Sequence, residues 1–268
     1  MKITTWNINS VRLRIDNVVR FLKEEAPDVL CLQETKCNDD QFPAKAIRAA
    51  GYEHIAVNGQ KAYHGVATVS RLPIKSVERK EFCGKGDARH IATTLPGGVV
   101  VHNFYVPSGG DEPDPAINEK FDHKLKFLDE MTDWFAGMER RTYKKIIVGD
   151  LNVAPLEADV WSHKQLLNVV SHTPVETEGL ARVQSSYDFI DVARALIPEP
   201  EKLYTWWSYR AKDWRASNRG RRLDHIWVSP PLKKAALAGG PGGYAIHDAY
   251  RDGEKPSDHV PVSLTLKL

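Results

Sequence analysis

Cysteine is scarce in this sequence, and its scarcity excludes two kinds of architecture. The 268 residues include three cysteines, Cys31, Cys37 and Cys83. An odd and sparse set without metal-ligand spacing argues against a disulfide framework and against a structural zinc site, because both need several cysteines at defined separations. We therefore expect a protein of the reducing cytoplasm.

Long apolar runs and a strong charge of one sign are also missing. No uncut apolar run approaches the roughly 18 residues of a membrane-spanning helix. The opening segment MKITTWNIN is typical of a strand rather than of a signal peptide. The net charge of +2 neither requires nor excludes a polyanionic partner, because a nearly neutral protein can carry a basic groove. We expect no membrane partner.

Flexible linkers, low-complexity tracts and heptad arrays are absent as well, which favours a single domain over residues 1–268. Residues 29–32 and 146–148 are continuously apolar, as in buried strands, and apolar side chains recur at helical spacing over residues 118–135. Two polar stretches, 108–115 and 210–222, are predicted to be long surface loops, which in a compact domain are usually functional or disordered. The other predicted elements are strands at 3–8, 53–57, 66–70, 91–95, 99–104, 203–209, 223–228 and 260–266, and helices over 11–22 and 42–50 and from Thr173 onward.

Acidic and amide side chains recur directly beside the predicted strands. An aspartate at a strand end is by itself more often a helix cap or turn residue, but several such positions in one chain are harder to dismiss. Strand ends can bring side chains together at one edge of a sheet. Their carboxylate and amide oxygens suit a hard cation such as Mg²⁺ or Mn²⁺. The residues are Asn7, Glu34, Asp150, Asn152, Asp224, Asp258 and His259.

The motifs around these residues resemble the ordered signature of the exonuclease III family of abasic-site endonucleases. That family shares its WN, QE, GDxN and SDH elements with DNase I, sphingomyelinases and inositol polyphosphate phosphatases, so the choice of DNA rests on the remaining motifs. The matching segments are WNIN at 6–9, LQET at 32–35, NFYVPSG at 103–109, GDLN at 149–152, TWWSY at 205–209, RLDHIWVS at 222–229 and SDHVPV at 257–262.

The resemblance implies a fold and an activity. The fold is a four-layer α/β sandwich of the DNase I type, in which two mixed sheets pack face to face with helices outside and the active site lies at one edge. The activity is a divalent-metal-dependent phosphodiesterase that incises duplex DNA 5′ to abasic sites and removes nucleotides or blocking groups from 3′ ends. The implied cofactor is Mg²⁺, with Mn²⁺ as a substitute.

The resemblance also implies roles for individual residues. Glu34 is the first choice of metal ligand, and the other metal candidates are Asn7, Asp150, Asn152, Asp258 and His259. Asp150 would orient or deprotonate the attacking water, and Asn152 would donate to the phosphate. His259 would contact the phosphate as an imidazolium or act as general base, with Asp224 on its other ring nitrogen.

Two further catalytic candidates carry an ordinary structural alternative. Tyr105 offers a phenol toward the phosphate or the leaving group, but aromatic strand residues usually pack into the core. Asp191, in YDFIDVAR, matches a family position near the site, but it is equally well explained as a helix cap.

The expected partner is double-stranded DNA with abasic sites or 3′ ends, bound by a monomer. Trp206 and Leu223 are predicted to wall a pocket for the abasic sugar. Some relatives carry an aromatic where this chain has Arg221, which leaves the balance between incision and 3′-end removal open. A lipid or inositol phosphatase and an inactive DNA-binding protein remain as alternatives. The predicted phosphate contacts are Arg219, Arg221 and Arg222, with Lys61 and Arg89 from other loops.

Overall fold

The computed structural model describes residues 1–138 and 143–268. Within them, strands and helices are mixed along the whole length. The strands are β1 (Lys2–Asn7), β2 (Val29–Gln33), β3 (His54–Asn58), β4 (Val66–Ser70), β5 (Ser76–Glu78), β6 (His90–Thr94), β7 (Val100–Tyr105), β8 (Lys145–Asp150), β9 (Ile190–Asp191), β10 (Trp206–Trp207), β11 (Gly220–Arg221), β12 (Asp224–Val228), β13 (Tyr244–Ile246) and β14 (Val262–Thr265). The α-helices are α1 (Ile15–Glu24), α2 (Ala44–Ala49), α3 (Glu119–Ala136), α4 (His163–Leu166), α5 (Pro174–Ser186), α6 (Val192–Leu196), α7 (Trp214–Ser217) and α8 (Lys233–Leu237).

Two mixed six-stranded sheets form the centre of the molecule. The first has the order β13-β14-β1-β2-β4-β3, and the second has the order β5-β6-β7-β8-β12-β9. In the first, β1 is parallel to β2 and antiparallel to β14; in the second, β8 is parallel to β7 and antiparallel to β12. The short ribbon β10-β11 stands apart from both sheets.

The core is layered because successive side chains of a strand point to opposite faces. In β2, Val29 and Cys31 belong to a buried cluster shared with the second sheet, whereas Leu30 and Leu32 belong to a cluster shared with α1 and α2. Fully burying one such aliphatic side chain contributes about 1.5–3 kcal/mol. Because β2 is buried on both faces, residues 29–32 are all apolar.

The second sheet repeats the arrangement on its own outer face. Phe127 of α3 and Leu180 of α5 pack in one cluster with Ile147 of β8 and Trp227 of β12. The order is therefore helices, sheet, sheet, helices, which confirms the predicted four-layer α/β sandwich. No helix in the described ranges is both long and apolar enough to cross a membrane.

Several predicted boundaries shift. The predicted strand at 203–209 pairs only at Trp206–Trp207. The predicted loop at 210–222 contains α7, because the Asp213 side chain accepts a hydrogen bond from the Ala216 amide and caps the helix. The last strand begins at Val262 rather than Val260, since Pro261 has no amide hydrogen to give to a ladder.

Candidate active site

Polar side chains from both sheets meet at one edge of the sandwich. Asn7 ends β1, while Asp150 ends β8 directly opposite Asp224 at the start of β12. The Asn7 side-chain amide donates to Glu34 Oε1 and to Asp150 Oδ2, at 2.8 Å each. One amide therefore links a carboxylate that follows the first sheet to a carboxylate of the second.

The backbone at this edge adopts conformations that most residues avoid. Glu34 and Asn152 have positive φ angles of 51° and 53°, which cost a non-glycine residue about 1–3 kcal/mol. Gly149 has φ 145°, and a Cβ placed there would lie 1.9 Å from the Phe104 carbonyl oxygen. Glycine is therefore required directly before Asp150.

A buried histidine lies between two aspartates. His259 Nδ1 is 2.8 Å from Asp224 Oδ2, and His259 Nε2 is 3.6 Å from Asp150 Oδ2. The Thr205 hydroxyl donates to the same Asp224 oxygen at 2.6 Å. The side chain of Asp224 is therefore held by groups from two other segments.

The two aspartates set the charge of the histidine. Burial by itself would lower the pKa of His259, but Asp224 and Asp150 outweigh it and raise that pKa to about 10. Burial, helped by the like charge of Asp224 and opposed by His259, raises the pKa of Asp150 to about 7. At neutral pH His259 is therefore an imidazolium that donates to Asp224 and directs Nε2 toward Asp150.

Glu34 and Asp258 supply two further carboxylates. Glu34 Oε2 is 2.8 Å from the Lys36 ammonium. Asp258 accepts from the Asn9 amide at 3.1 Å and from the Trp206 indole at 2.9 Å. Burial would raise the pKa of both carboxyl groups, but Lys36, Asn7 and His259 together outweigh it for Glu34. The charge of His259 and the Trp206 and Asn9 donors do so together for Asp258, so both pKa values lie below their usual range. Both groups are ionised at neutral pH.

These residues fit a divalent cation by their charge and chemistry. Asp150, Asp224 and His259 are buried and offer ligand atoms that lie within 4.8 Å of one another. His259, however, has no free lone pair as an imidazolium, so carboxylates are the better ligands. When Asp150 is ionised, the site's four carboxylates outnumber its two cations, the imidazolium and Lys36. A divalent ion would balance the remaining charge.

Asn152 and Tyr105 flank the same carboxylates. The Asn152 amide donates to the Val106 carbonyl at 2.9 Å and to Asp150 at 3.1 Å. Burial, with the charges of Glu34 and Asp150, raises the pKa of Tyr105 well above its usual value. The phenol therefore stays protonated and can act only as a neutral donor.

A cavity of about 870 Å³ opens from these groups. Its catalytic end is formed by Glu34, Tyr105, Asp150, Asn152, Asp258 and His259. Its other side, the arginine–tryptophan wall, is formed by Trp161, Trp206, Arg210, Arg219, Arg221 and Leu223.

Trp206 connects the wall to the catalytic end. Its register partner in the ribbon is Arg221, whose guanidinium carbon lies 5.3 Å from the Trp206 ring centre. Its indole nitrogen donates to Asp258, and Leu223 packs in the same apolar cluster. Trp206 therefore has two roles, as a pocket wall and as a hydrogen-bond donor to a metal-ligand candidate.

Two predicted site residues are placed elsewhere. Arg222, predicted to contact DNA, is fully buried and donates to both carboxylate oxygens of Asp159 and of Asp191. Asp191, predicted to be catalytic, also accepts from the Arg194 amide as a helix cap, and it stands opposite Trp227 on β12. Arg222 and Asp191 therefore pair with each other and neither lines the cavity, so the DNA contact of Arg222 and the catalytic role of Asp191 stay predictions without support from this placement.

Arg89 lies in the loop before β6, as expected, but it is buried. Only 6% of it is exposed, and it donates to Asp87 and to the Tyr105 carbonyl oxygen. Its guanidinium carbon lies 5.0 Å from the Tyr105 ring centre. Its role is to support Tyr105, whereas Lys61 is exposed, as expected of a loop residue.

A buried lysine that the sequence analysis missed joins two active-site loops. Lys124 of α3 is fully buried and donates to the Asn152 carbonyl at 2.7 Å, to the Ser108 carbonyl at 3.2 Å and to Glu176. Glu176 in turn accepts from the Ser171 amide. A lysine on the apolar face of a predicted amphipathic helix is unusual, and this feature of the sequence could have identified Lys124.

The comparisons with known proteins agree with this geometry. A model of the endonuclease/exonuclease/phosphatase family matches residues 4–259. The chain therefore belongs to the endonuclease/exonuclease/phosphatase family, and the predicted resemblance to exonuclease III proteins is confirmed.

Individual relatives point to the nucleases within that family. Exodeoxyribonuclease III of Haemophilus influenzae is 32% identical over 98% of each chain. An AP endonuclease from Archaeoglobus fulgidus has a TM-score of 0.91 at 31% identity, and a 3′ phosphatase from Neisseria bound to a product DNA hairpin has 0.90 at 32%; each comparison covers the full length of both chains.

Proposed function

We propose that this protein is a divalent-metal-dependent DNA repair nuclease of the exodeoxyribonuclease III type. It incises duplex DNA 5′ to abasic sites and removes nucleotides or blocking groups from 3′ ends. The observation that carries the proposal is the single cavity in which the Asp150–His259–Asp224 arrangement faces a wall of arginine and tryptophan. The names of the relatives, an exodeoxyribonuclease, an AP endonuclease and a 3′ phosphatase, support it.

The cofactor in this proposal is Mg²⁺, with Mn²⁺ as a substitute. Glu34 would hold it together with Asp258 and Asp150, because these carboxylates face the cavity and offer the oxygen ligands that hard cations prefer. When bound, the ion supplies neutralisation of the charge on the phosphoryl and leaving oxygens. Asn7 would act by orienting Glu34 and Asp150.

The other residues hold the phosphate and the water. His259, kept cationic by Asp224, presents Nε2 to a non-bridging oxygen, while Asp150 orients the attacking water and accepts its proton. Tyr105 and Asn152 are proposed as neutral donors at the same phosphate, for which the Asn152 amide must give up its hydrogen bond to Val106 or to Asp150. This division assigns the general base to Asp150, because a protonated imidazole cannot accept another proton.

The substrate follows from the arginine–tryptophan wall. Trp206 and Leu223 offer an apolar surface to a deoxyribose without a base, which leaves the helical stack at little cost. In this proposal Arg219 and Arg221, which line the cavity, contact phosphates, and Arg221 binds a phosphate near a recessed end. Incision at abasic sites and trimming of 3′ ends are therefore both expected.

A lipid or inositol phosphatase is disfavoured by the loop beside the site. Its one large apolar residue, Trp214, packs on Trp207 at 4.8 Å between ring centres and donates to Asp252. Arg215 pairs with Asp248 and Asp252. This surface therefore offers a lipid bilayer no apolar anchor.

The decisive experiment is incision of a plasmid that carries abasic sites, with and without EDTA. We expect nicking with Mg²⁺, a 3′-hydroxyl at the new end, none with EDTA, and recovery when Mg²⁺ is restored. An undamaged plasmid is the control, and a recessed 3′ end is assayed in parallel. Hydrolysis of inositol phosphates or sphingomyelin without nicking would overturn the proposal in favour of the alternative.

The remaining attributes are proposed on weaker grounds. The three cysteines have free thiols, which suits the reducing cytoplasm. We propose a single catalytic domain over residues 1–268, acting as a monomer on DNA and without a membrane partner.

A further inference from the structure

Two arginine–tryptophan stacks stand side by side in the cavity. The guanidinium carbon of Arg219 lies 4.7 Å from the ring centre of Trp161, and that of Arg221 lies 5.3 Å from Trp206. The Trp161 amide donates to the Gly220 carbonyl at 3.1 Å. The ribbon that carries Trp206 and Arg221 therefore also fixes Trp161.

Arg219 differs from most arginines near it. Arg215 pairs with Asp248 and Asp252, and Arg222 pairs with Asp159 and Asp191. Arg219 is exposed and forms no ion pair with any residue the structure describes, and its guanidinium stacks on the Trp161 ring. Its second guanidinium face and its donors are therefore free for a ligand.

The cavity is larger than an abasic sugar requires. Pockets of about 300–1,000 Å³ accommodate whole drug-sized molecules, and this cavity has about 870 Å³. Trp206 and Leu223 suffice to wall a deoxyribose, yet Trp161 and Val169 extend the same apolar cluster beyond them. The additional space has the flat, partly cationic lining that suits a nucleobase.

We propose that Trp161 and the Arg219 stacked on it form a base-binding platform for an unpaired 3′-terminal nucleotide. The inference rests on the proposed nuclease function. Abasic incision and 3′-end removal both cleave 5′ to the nucleotide in the cavity. In the second reaction water attacks phosphorus, the P–O3′ bond breaks, and a nucleoside 5′-monophosphate leaves. The 3′-terminal nucleotide carries a base, whereas the abasic residue does not. Bases stack on aromatic rings and guanidinium planes.

The platform predicts a preference for frayed ends. A paired terminal base must leave its stack before it can reach Trp161, whereas a mismatched base does so at less cost. The enzyme should therefore remove mismatched 3′-terminal nucleotides faster than paired ones, and the difference should depend on Trp161.

The test compares two duplexes, one with a mismatched 3′ terminus and one with an internal abasic analogue. Trp161→Ala should lower kcat/KM on the mismatched terminus about tenfold, the size of one base–aromatic stack, while abasic incision changes less than about twofold. Trp161→Phe keeps a ring and should restore most of the rate. Arg219→Gln removes the stacked guanidinium and a proposed phosphate contact, so it should slow both reactions, the mismatched terminus more than the abasic site.

Arg215→Gln is the matched control, since Arg215 also stacks on a tryptophan, Trp214 at 4.3 Å, but does not line the cavity. It should affect neither substrate. Equal losses on both substrates from Trp161→Ala, or no loss on either, would show that Trp161 only packs and would overturn the platform.

A binding measurement separates this inference from the proposed function. Deoxyadenosine monophosphate should bind the wild type more tightly than Trp161→Ala, whereas deoxyribose 5-phosphate should bind both equally. This difference is expected even if the wild type cuts neither duplex, a result that would reject the nuclease function but not the platform. Equal affinity of both proteins for the mononucleotide would reject the platform alone.

Discussion

At the catalytic end of the cavity, Asp150 and His259, and the Asp224 to which His259 donates, are at most 4% exposed, and each is held by groups from other segments. Along the arginine–tryptophan wall, Arg210 and Arg219 are exposed, and neither pairs with an acid among the described residues. The catalytic end is fixed before a ligand arrives, as electrostatic catalysis requires. The wall is free to adjust to the ligand. Substitutions at the catalytic end should therefore lower activity on every substrate. Substitutions in the arginine–tryptophan wall should lower activity on some substrates more than on others.

The largest loss is expected at the catalytic end, from Glu34→Ala. In the proposed function Glu34 is the main metal ligand, so its loss should remove charge stabilisation of several kcal/mol. Nicking at low Mg²⁺ should fall at least about a thousandfold, with thermal unfolding unchanged. Glu178→Ala, an exposed glutamate of α5, is the control. Wild-type nicking by Glu34→Ala would refute the assignment.

Asp224→Asn should come next, with a loss of about 10²–10⁴ on both substrates. The change removes the carboxylate that most strongly raises the pKa of His259. Wild-type His259 stays protonated below its pKa of about 10, so its charge persists across pH 6–9. In the variant that pKa falls, and the rate should decline as pH rises through this window. A full rate across it would show that the pair has no function, and His259→Ala should be at least as damaging.

The buried pair of Lys124 and Glu176, which supports loops at the catalytic end, can be tested by measuring the stability of variants. Lys124→Met leaves Glu176 buried without its cation, which should cost about 3–5 kcal/mol of unfolding free energy in urea. Lys126→Met breaks the exposed pair with Asp122 on the same helix and should cost less than about 0.5 kcal/mol. Equal losses from the two variants would mean that burial of the pair is unimportant.

Trp206 belongs to the arginine–tryptophan wall and also donates to Asp258 at the catalytic end. Two variants are therefore needed to separate these contributions. Trp206→Phe keeps a ring but removes the donor to Asp258, and should lower abasic incision and 3′-end removal alike, by about tenfold. Trp206→Ala also removes the wall and should add a loss that is larger on the abasic substrate than on the 3′ end. If Phe and Ala gave the same result on both duplexes, the ring would have no part in sugar recognition.

The smallest effect concerns the exposed arginines. DNA affinity should fall steeply between roughly 50 and 200 mM salt, because each phosphate contact releases a counterion. Arg210→Gln should reduce the log–log slope by about one, while Arg215→Gln should leave it unchanged. A flat salt dependence of the wild type would mean that the wall does not touch the DNA backbone.

The layered fold was implied by the resemblance of the ordered motifs to a known family, whereas apolar runs and the polar residues beside them, which are local signals, indicated which side chains could meet at one edge. Arg222 was misplaced although a simple rule applies: neighbours on an extended segment face opposite sides, so Arg221 and Arg222 cannot both line the cavity. Trp161 and the Trp206–Asp258 hydrogen bond gave no local signal. They depend on contacts between segments dozens of residues apart.

The strand order also fixes when the enzyme can become competent during synthesis. β1 is central in the first sheet, but one of its neighbours is β14, which follows it by about 260 residues and comes after Asp258 and His259. At about 5–20 residues per second, β1 waits tens of seconds with an unpaired edge, a known risk for aggregation. The same delay keeps a nascent chain from cutting DNA, because the imidazole arrives with the strand that closes the sheet.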